Sequence, residues 1–333
     1  MNVASHGFSE RPVRLAAASP LLGASAAMQE VFRLIERVGP TELCVLLTGE
    51  SGSGKELAAQ SIHDRSLRRG GPFIAINCGA IPASLIEAEL FGYEKGSFSG
   101  AVRPHVGVFE RAQGGTLLLD EVTEMPLDMQ TRLLRVLETR KFYRVGAGVE
   151  LSTDVRVIAA TNRCPLQAAR RGQLREGLLY RLAVFPIDMP PLRSRGNDVD
   201  LLAEHFLADL NARAGTQKRF STLARETLKR HTWPGNVREL SNCIERAFIL
   251  ADQTLELAPL IQSTSRGSDP ADRERLEIRV GSRIYDMERS LIEATLEYFQ
   301  GNKRRAADAL GCSLKTLYNK LNGYSQSHEC ASS

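Results

Sequence analysis

Three segments stand in immediate succession: an apolar run over residues 43–48, the glycine-rich GESGSGKE over 49–56, and the helix-prone Leu57-Ala58-Ala59. The run suits a strand buried on both faces, and the helix must then return across a parallel sheet. Strand, glycine loop and helix in that order are the setting of a phosphate-binding loop. Backbone N–H groups of Gly52, Ser53, Gly54 and Lys55 are expected to cradle phosphates at the helix start, with Gly49, Glu50 and Ser51 as the approach. Lys55 is expected to reach the β- and γ-phosphates of ATP. Glu56 stands where the general pattern has Ser or Thr. The usual hydroxyl ligand of Mg²⁺ is therefore missing, and the ion would lean on Asp120, phosphates and water.

A second half-site lies at GGTLLLDE, residues 114–121. Thr116 to Leu119 read as a buried strand ending in two carboxylates. Asp120 is expected to hold hydrated Mg²⁺, and Glu121 to orient and deprotonate the attacking water. A third strand, Val155 to Ala160, runs into Thr161-Asn162. The Asn162 amide would then lie beside the acids, where it can sense the γ-phosphate. Between the two half-sites sits Phe91 to Ala101, whose glycine-flanked part, Gly96 to Gly100, carries one large apolar side chain, Phe98. Glycine accepts φ of either sign, so such a loop changes shape cheaply. An exposed phenylalanine at its tip is expected to insert into a partner.

These motifs together resemble the AAA+ domain of bacterial enhancer-binding proteins, the activators of sigma-54 RNA polymerase. The resemblance runs from about Leu21 to Tyr324. The family's loop signature is GAFTGA; Gly96, Ser97, Phe98, Ser99, Gly100 and Ala101 read GSFSGA here. The resemblance implies that this loop contacts sigma-54 and that Glu56 is a family trait. It also implies that Asn77 restrains Glu121 until the ring engages. GQLREGLLYRL at 172–182 is close to the family's GxFREDLYYRL, so Arg175 and Arg181 would face a neighbouring subunit's nucleotide. Leu174 and Gly177 depart from that pattern. WPGNVREL at 233–240 matches the second sensor, with Arg238 as the γ-phosphate contact.

The C-terminal segment reads as a separate module. Ile284, Met287, Leu291, Ile292, Leu296 and Phe299 form one helical stripe, ended by Gly301-Asn302. A short helix from Lys303 to Leu310 and a Gly311-Cys312-Ser313 turn follow. Ser313 would cap a third helix with Leu314, Leu317 and Leu321 inward. Lys315, Thr316, Asn319 and Lys320 would face out. Two short helices about a glycine turn fit helix-turn-helix geometry. Residues 302–324 carry five Lys/Arg against one Asp, which suits phosphate contact through Lys303, Arg304, Arg305 and their neighbours. The segment resembles the Fis-type DNA-binding domain.

The expected fold is α/β: an AAA+ P-loop ATPase with a parallel sheet flanked by helices, an α-helical lid and an all-α helix-turn-helix domain. The expected divisions are a tail over 1–20, an ATPase core over 21–190, a lid over 191–262, a linker over 263–281 and the DNA-binding domain over 282–326. The implied partners are sigma-54 holoenzyme, enhancer DNA and other copies of the chain in a hexameric ring. Only about twenty residues precede Leu21, too few for a sensor fold. That points to the subclass without a regulatory domain, controlled by a trans-acting inhibitor, a paired activator or abundance. Six cysteines without metal-ligand spacing suggest reduced thiols in cytoplasm. No apolar run approaches membrane-spanning length. Two other classes stay open: an AAA+ DNA-binding regulator that does not remodel sigma-54, and a chelatase-type AAA+ enzyme outside transcription.

Overall fold

The computed structural model describes residues 21–98, 101–257, 284–299 and 302–329, without the side chains of 284–286, 297 and 322–329. The tail over 1–20, the linker over 263–281, and Ser99 and Gly100 lie outside those residues. The chain divides into two units, Met1–Ala258 and Pro259–Ser333.

Alternate burial of apolar side chains builds the first unit. The strands are β1 (Val45–Thr48), β2 (Phe73–Asn77), β3 (Thr116–Asp120), β6 (Arg156–Thr161) and β7 (Phe185–Asp188). They pair in parallel in the order β2-β3-β6-β1-β7. Leu46, Leu117, Leu119, Val157 and Ala159 pack into one apolar layer. Val45, Leu47, Leu118, Ile158 and Ala160 pack into the opposite one. Both faces are covered by helices, as a parallel sheet requires. The first layer takes α3 (Ile86–Phe91), α4 (Val108–Arg111), α5 (Leu127–Thr139), α6 (Pro165–Arg170) and α7 (Glu176–Leu182); the second takes α1 (Ala26–Val38) and α2 (Lys55–Asp64). The strand expected over 43–48 begins two residues late because Leu43 is exposed at the sheet end. Pro186 is tolerated because β7 is an edge strand.

Sequence reading did not anticipate the antiparallel hairpin β4 (Lys141–Tyr143) and β5 (Glu150–Ser152). Beyond β7 the chain is largely helical: α8 (Asp198–Ala214), α9 (Thr222–Arg230) and α10 (Asn236–Leu250). Trp233 is fully buried there and donates its indole N–H to Leu228 O at 3.0 Å.

Helix α1 is tied at both ends. Asp198 accepts from Ala24 N, Ser25 N and Ser25 Oγ at 2.7–2.9 Å. Buried Arg156 donates to Val38 O and Gly39 O at 2.8 and 2.7 Å, a cation on helix-end carbonyls.

In the second unit, α11 (Ile284–Tyr298), α12 (Lys303–Ala309) and α13 (Leu314–Glu329) surround a small core of Ile292, Ala306, Ala307 and Leu317. Asn302 caps α12, and Ser313 Oγ caps α13 by accepting from Thr316 N at 3.1 Å. Leu314, expected inward, is 42% exposed. The inner stripe follows Leu317 and Leu321 at i,i+4, which leaves 314 on the border of the helix face.

Candidate active site

The strand ends explain where the chemistry collects. β1, β3 and β6 are neighbours, so the loop after Thr48, the acids at 120–121 and Asn162 emerge together at their carboxyl ends. Such an edge is the usual ligand crevice of parallel α/β sheets. A cavity of about 310 Å³ is lined by Gly52, Gly54, Lys55, Asp120, Glu121 and Arg238, among others. A larger cavity of about 630 Å³, between α5 and the β4–β5 hairpin, shares no residue with it.

The phosphate loop has its special backbone where glycine supplies it. Gly52 has φ of 74°, and a Cβ there would stand 2.4 Å from Gly235 O. Lys55 Nζ donates to Gly49 O at 2.9 Å and Glu50 O at 3.3 Å. Burial pushes the Lys55 ammonium down from its ordinary pKa, and the charges of Glu121 and Asp120 oppose that. Ser53 Oγ is buried with no hydrogen-bond partner among the described residues. Such a hydroxyl, beside a lysine and glycine N–H groups, fits a phosphate oxygen. Glu56 is exposed at the mouth.

Glu121 has φ of 50°, an uncommon left-handed setting for a residue with a side chain. Its Oε2 accepts from Asn162 N at 3.1 Å, so β6 fixes the carboxylate's direction. The Asn162 side chain is exposed. Asn77 corrects the expectation: its Nδ2 donates to Asp120 Oδ2 at 3.3 Å, not to Glu121. β2 and β3 are in register with Asn77 opposite Asp120, while Glu121 turns away after the strand. Asn77 Oδ1 accepts from Gly79 N and Ala80 N.

Arg175 and Arg181 are each held by a carbonyl of α5. Arg175 Nε donates to Leu127 O at 2.9 Å and Arg181 Nη2 to Leu137 O at 2.8 Å. Arg238 Nη1 donates to Ser51 Oγ at 3.0 Å, over the phosphate loop.

The lid segment contributes groups the sequence reading passed over. Glu50 is paired with Arg193 at 2.5 and 2.8 Å and accepts from Asn236 Nδ2 at 3.1 Å. Hydrogen bonds from Arg193 and then Asn236 hold its carboxyl down at about 2. Asn236 also donates to Ser51 O, and the almost fully buried Arg195 donates to Ser53 O. The available signal was an asparagine directly after Pro-Gly, a residue suited to positive φ. Nothing in PPLRSR distinguishes a buried arginine.

The 96–101 loop is braced from its base. Gly96 N donates to Ala101 O at 2.8 Å, and Phe98 packs edge-on to Tyr93 with ring centroids 4.9 Å apart. Ser97 is half-buried, and its Oγ has no partner among the described residues. Arg144, from the hairpin turn, bridges Glu94 at 2.8 Å and Glu110 at 2.6 and 2.8 Å. A Cβ on Gly146 would stand 2.6 Å from Ser97 Cβ.

In the second unit Lys303, Arg304, Arg305, Ser313, Lys315, Thr316 and Asn319 are exposed. Lys320 departs from expectation: it is half-buried, and its Nζ pairs with Glu288 of α11 at 2.5 Å. Its position three residues after buried Leu317 puts it on the flank of the helix, within reach of α11. The described cysteines are all free, and no His/Cys/Asp/Glu group among the described residues could hold a metal by itself. No helix among them is long and apolar enough to cross a membrane.

Three family models match the chain. A sigma-54 interaction domain covers residues 21–188, an AAA+ ATPase lid domain 193–276, and a bacterial regulatory protein of the Fis family 284–324. The chain is 44% identical over 330 residues to the DNA-binding transcriptional regulator NtrC of Azospirillum brasilense, covering 91% of this chain and 69% of that protein. It is 42% identical over 321 residues to the transcriptional regulatory protein FlbD of Caulobacter vibrioides, covering 92% and 70%. The solved structure of NtrX from Brucella abortus in complex with ATP matches at 35% identity and a TM-score of 0.65, over 92% of this chain and 69% of that one.

Proposed function

The chain belongs to the sigma-54-dependent transcriptional activators, AAA+ ATPases with a Fis-type DNA-binding domain, and from that membership we propose how its residues divide the work. The observation that carries the reading is one cavity that gathers Lys55, Asp120, Glu121 and Arg238. ATP binds with its phosphates on the N–H groups of Gly52 to Lys55, on Ser53 Oγ and on the Lys55 ammonium. An ATP-bound relative of the same fold supports that choice of nucleotide. Asp120 would hold Mg²⁺, which when bound would neutralise charge on the phosphates. Glu121 takes a proton from the attacking water, with its direction set by Asn162 N–H. Arg238 brings the lid to the phosphates. Asn77 acts on the site through Asp120.

Arg175 and Arg181 complete a neighbouring copy's site, so the active form is a ring, with six copies the size the family resemblance implies. Mixing Arg181→Ala with Lys55→Ala should restore some hydrolysis at mixed interfaces. A concentration-independent rate from a monomer would exclude the ring. Phe98, on its braced loop, contacts sigma-54 in the holoenzyme and couples turnover to remodelling of the closed promoter complex. The second unit binds enhancer DNA through Lys303, Arg304, Arg305, Lys315, Thr316 and Asn319. The site of action is the cytoplasm. The deciding experiment is isomerisation of a sigma-54 holoenzyme–promoter complex by the purified protein with ATP. ATP hydrolysis and DNA binding without isomerisation would favour the non-remodelling regulator.

A further inference from the structure

Three successive carbonyls of the phosphate loop are each taken by the lid. Ser51 O accepts from Asn236 Nδ2 at 3.0 Å, Gly52 O from Val237 N at 3.0 Å, and Ser53 O from Arg195 Nη2. The two preceding carbonyls, of Gly49 and Glu50, accept from Lys55. A trans peptide group is planar, so fixing the C=O of one residue fixes the opposed N–H of the next. The lid thereby sets the direction of the N–H groups of Gly52, Ser53 and Gly54. Ser53 N–H turns to Glu50 O at 3.2 Å, while those of Gly52 and Gly54 have no partner among the described residues.

The lid groups that do this are themselves locked. Asn236 is fully buried at φ of 54°, and its Oδ1 accepts from Leu192 N at 2.8 Å. Arg195 is 1% exposed and also donates to Pro190 O from Nε at 2.9 Å. Among the described residues no carboxylate hydrogen-bonds this guanidinium, although the charge of Asp198 acts on it; its acceptors are backbone carbonyls. A buried cation satisfied by carbonyls alone is costly to keep. Its geometric effect here is to hold one loop peptide in place.

We infer that Asn236 and Arg195 are positioning residues for ATP: they aim the phosphate-binding N–H groups by holding the loop's carbonyls on the lid side. Neither side chain needs to touch the nucleotide. Preorganised donors cost nothing to reorient when the phosphates arrive, so affinity depends on lid residues outside the phosphate motif. The inference rests on reading 49–56 as the phosphate site.

The test is titration of the full chain with mant-ADP, a fluorescent nucleotide, for the parent, Asn236→Asp, Arg195→Lys and Lys55→Ala. The Asp variant keeps the acceptor for Leu192 N but turns the donor facing Ser51 O and Glu50 into a carboxylate. Glu50 bonds Asn236 directly and is paired with Arg193, while Lys55 on Glu50 O and Arg238 on Ser51 Oγ are the cations nearby. Asn236→Asp should weaken binding about tenfold at about pH 8. The deficit relative to parent should shrink toward about pH 6, where the raised pKa of a carboxyl beside Glu50 restores an O–H donor. A purely structural defect would lower the melting temperature and leave that ratio unchanged with pH. Arg195→Lys, whose single ammonium cannot span the two carbonyls as the guanidinium does, should also bind more weakly when measured well below its own melting temperature, and it carries the test if Asn236→Asp folds poorly. Parental affinity in both folded variants, or a pH-independent ratio, overturns the inference. Parental affinity in Lys55→Ala instead overturns the phosphate-site reading itself.

Discussion

Phe98→Ala separates engagement of sigma-54 from ATP turnover, and the structure sets the size of the effect. Phe98 is 42% exposed, and its ring leans on Tyr93. Full burial of a phenylalanine is worth about 1.5–3 kcal/mol. With more than half of the residue already covered, a partner can gain only the remaining share, about 0.6–1.3 kcal/mol per loop. That corresponds to about 3- to 9-fold in affinity for one loop. Two loops engaged at once multiply to about 8- to 80-fold. The assay is capture of sigma-54 by the full chain held with ADP and aluminium fluoride, parent against variant, with basal ATPase measured alongside. Capture should fall by a factor in that range while basal turnover is retained. Equal capture would refute the contact. A matching loss of ATP turnover would refute the separation of loop from nucleotide site.

Four further outcomes are expected. Glu121→Gln should bind nucleotide as the parent does but hydrolyse it roughly 10²–10⁴-fold more slowly, read in a steady-state phosphate assay. Gly146→Ala, at φ of 78° and against Ser97, should cost about 1–2 kcal/mol and weaken sigma-54 capture while nucleotide affinity holds. His63 is buried beside Thr116 Oγ1 at 2.9 Å, and burial lowers its pKa from 6.5. The unfolded chain then takes the proton first, so this contribution to stability is full above 6.5 and is lost as pH falls below it toward the folded value. His63→Gln should flatten that part of the denaturation-versus-pH curve. Asn319→Ala should shift base preference at one position by about 1–3 kcal/mol in a binding-site selection, leaving affinity for non-specific DNA unchanged.

What could be read from the sequence was what local chemistry dictates. Leu117–Leu119 and Val157–Ala160 are continuous apolar runs because both faces of their strands are covered, and such runs are hard to misread. The phosphate loop announces itself because only glycine accepts its backbone. The β4–β5 hairpin was not legible: its strands are three residues each, with Lys141, Tyr143 and Glu150 facing solvent, so no apolar period marks them. The family resemblance pairs Asn77 with Glu121, and nothing in the sequence shows that the chain turns left-handed at 121. The registers of β2 and β3 place Asn77 against Asp120 instead. Arg195 defeated sequence reading most completely. Arginine is ordinarily exposed, and only the assembled lid and loop bring carbonyls to it from both sides.

The double anchoring of α1 bears on how the first unit opens. A helix near the start of a domain ordinarily frays, and its amides exchange with solvent long before the core lets go. Here the first turn is fastened by an aspartate from α8 and the last carbonyls by an arginine from a central strand. Fraying at either end would strand a buried charge, Asp198 or Arg156, so neither end can leave alone. The helix therefore joins the sheet and the lid into one cooperative exchange unit. Its amides should report global unfolding, and lid movement that breaks the Asp198 bonds should appear first as faster exchange at Ala24 and Ser25.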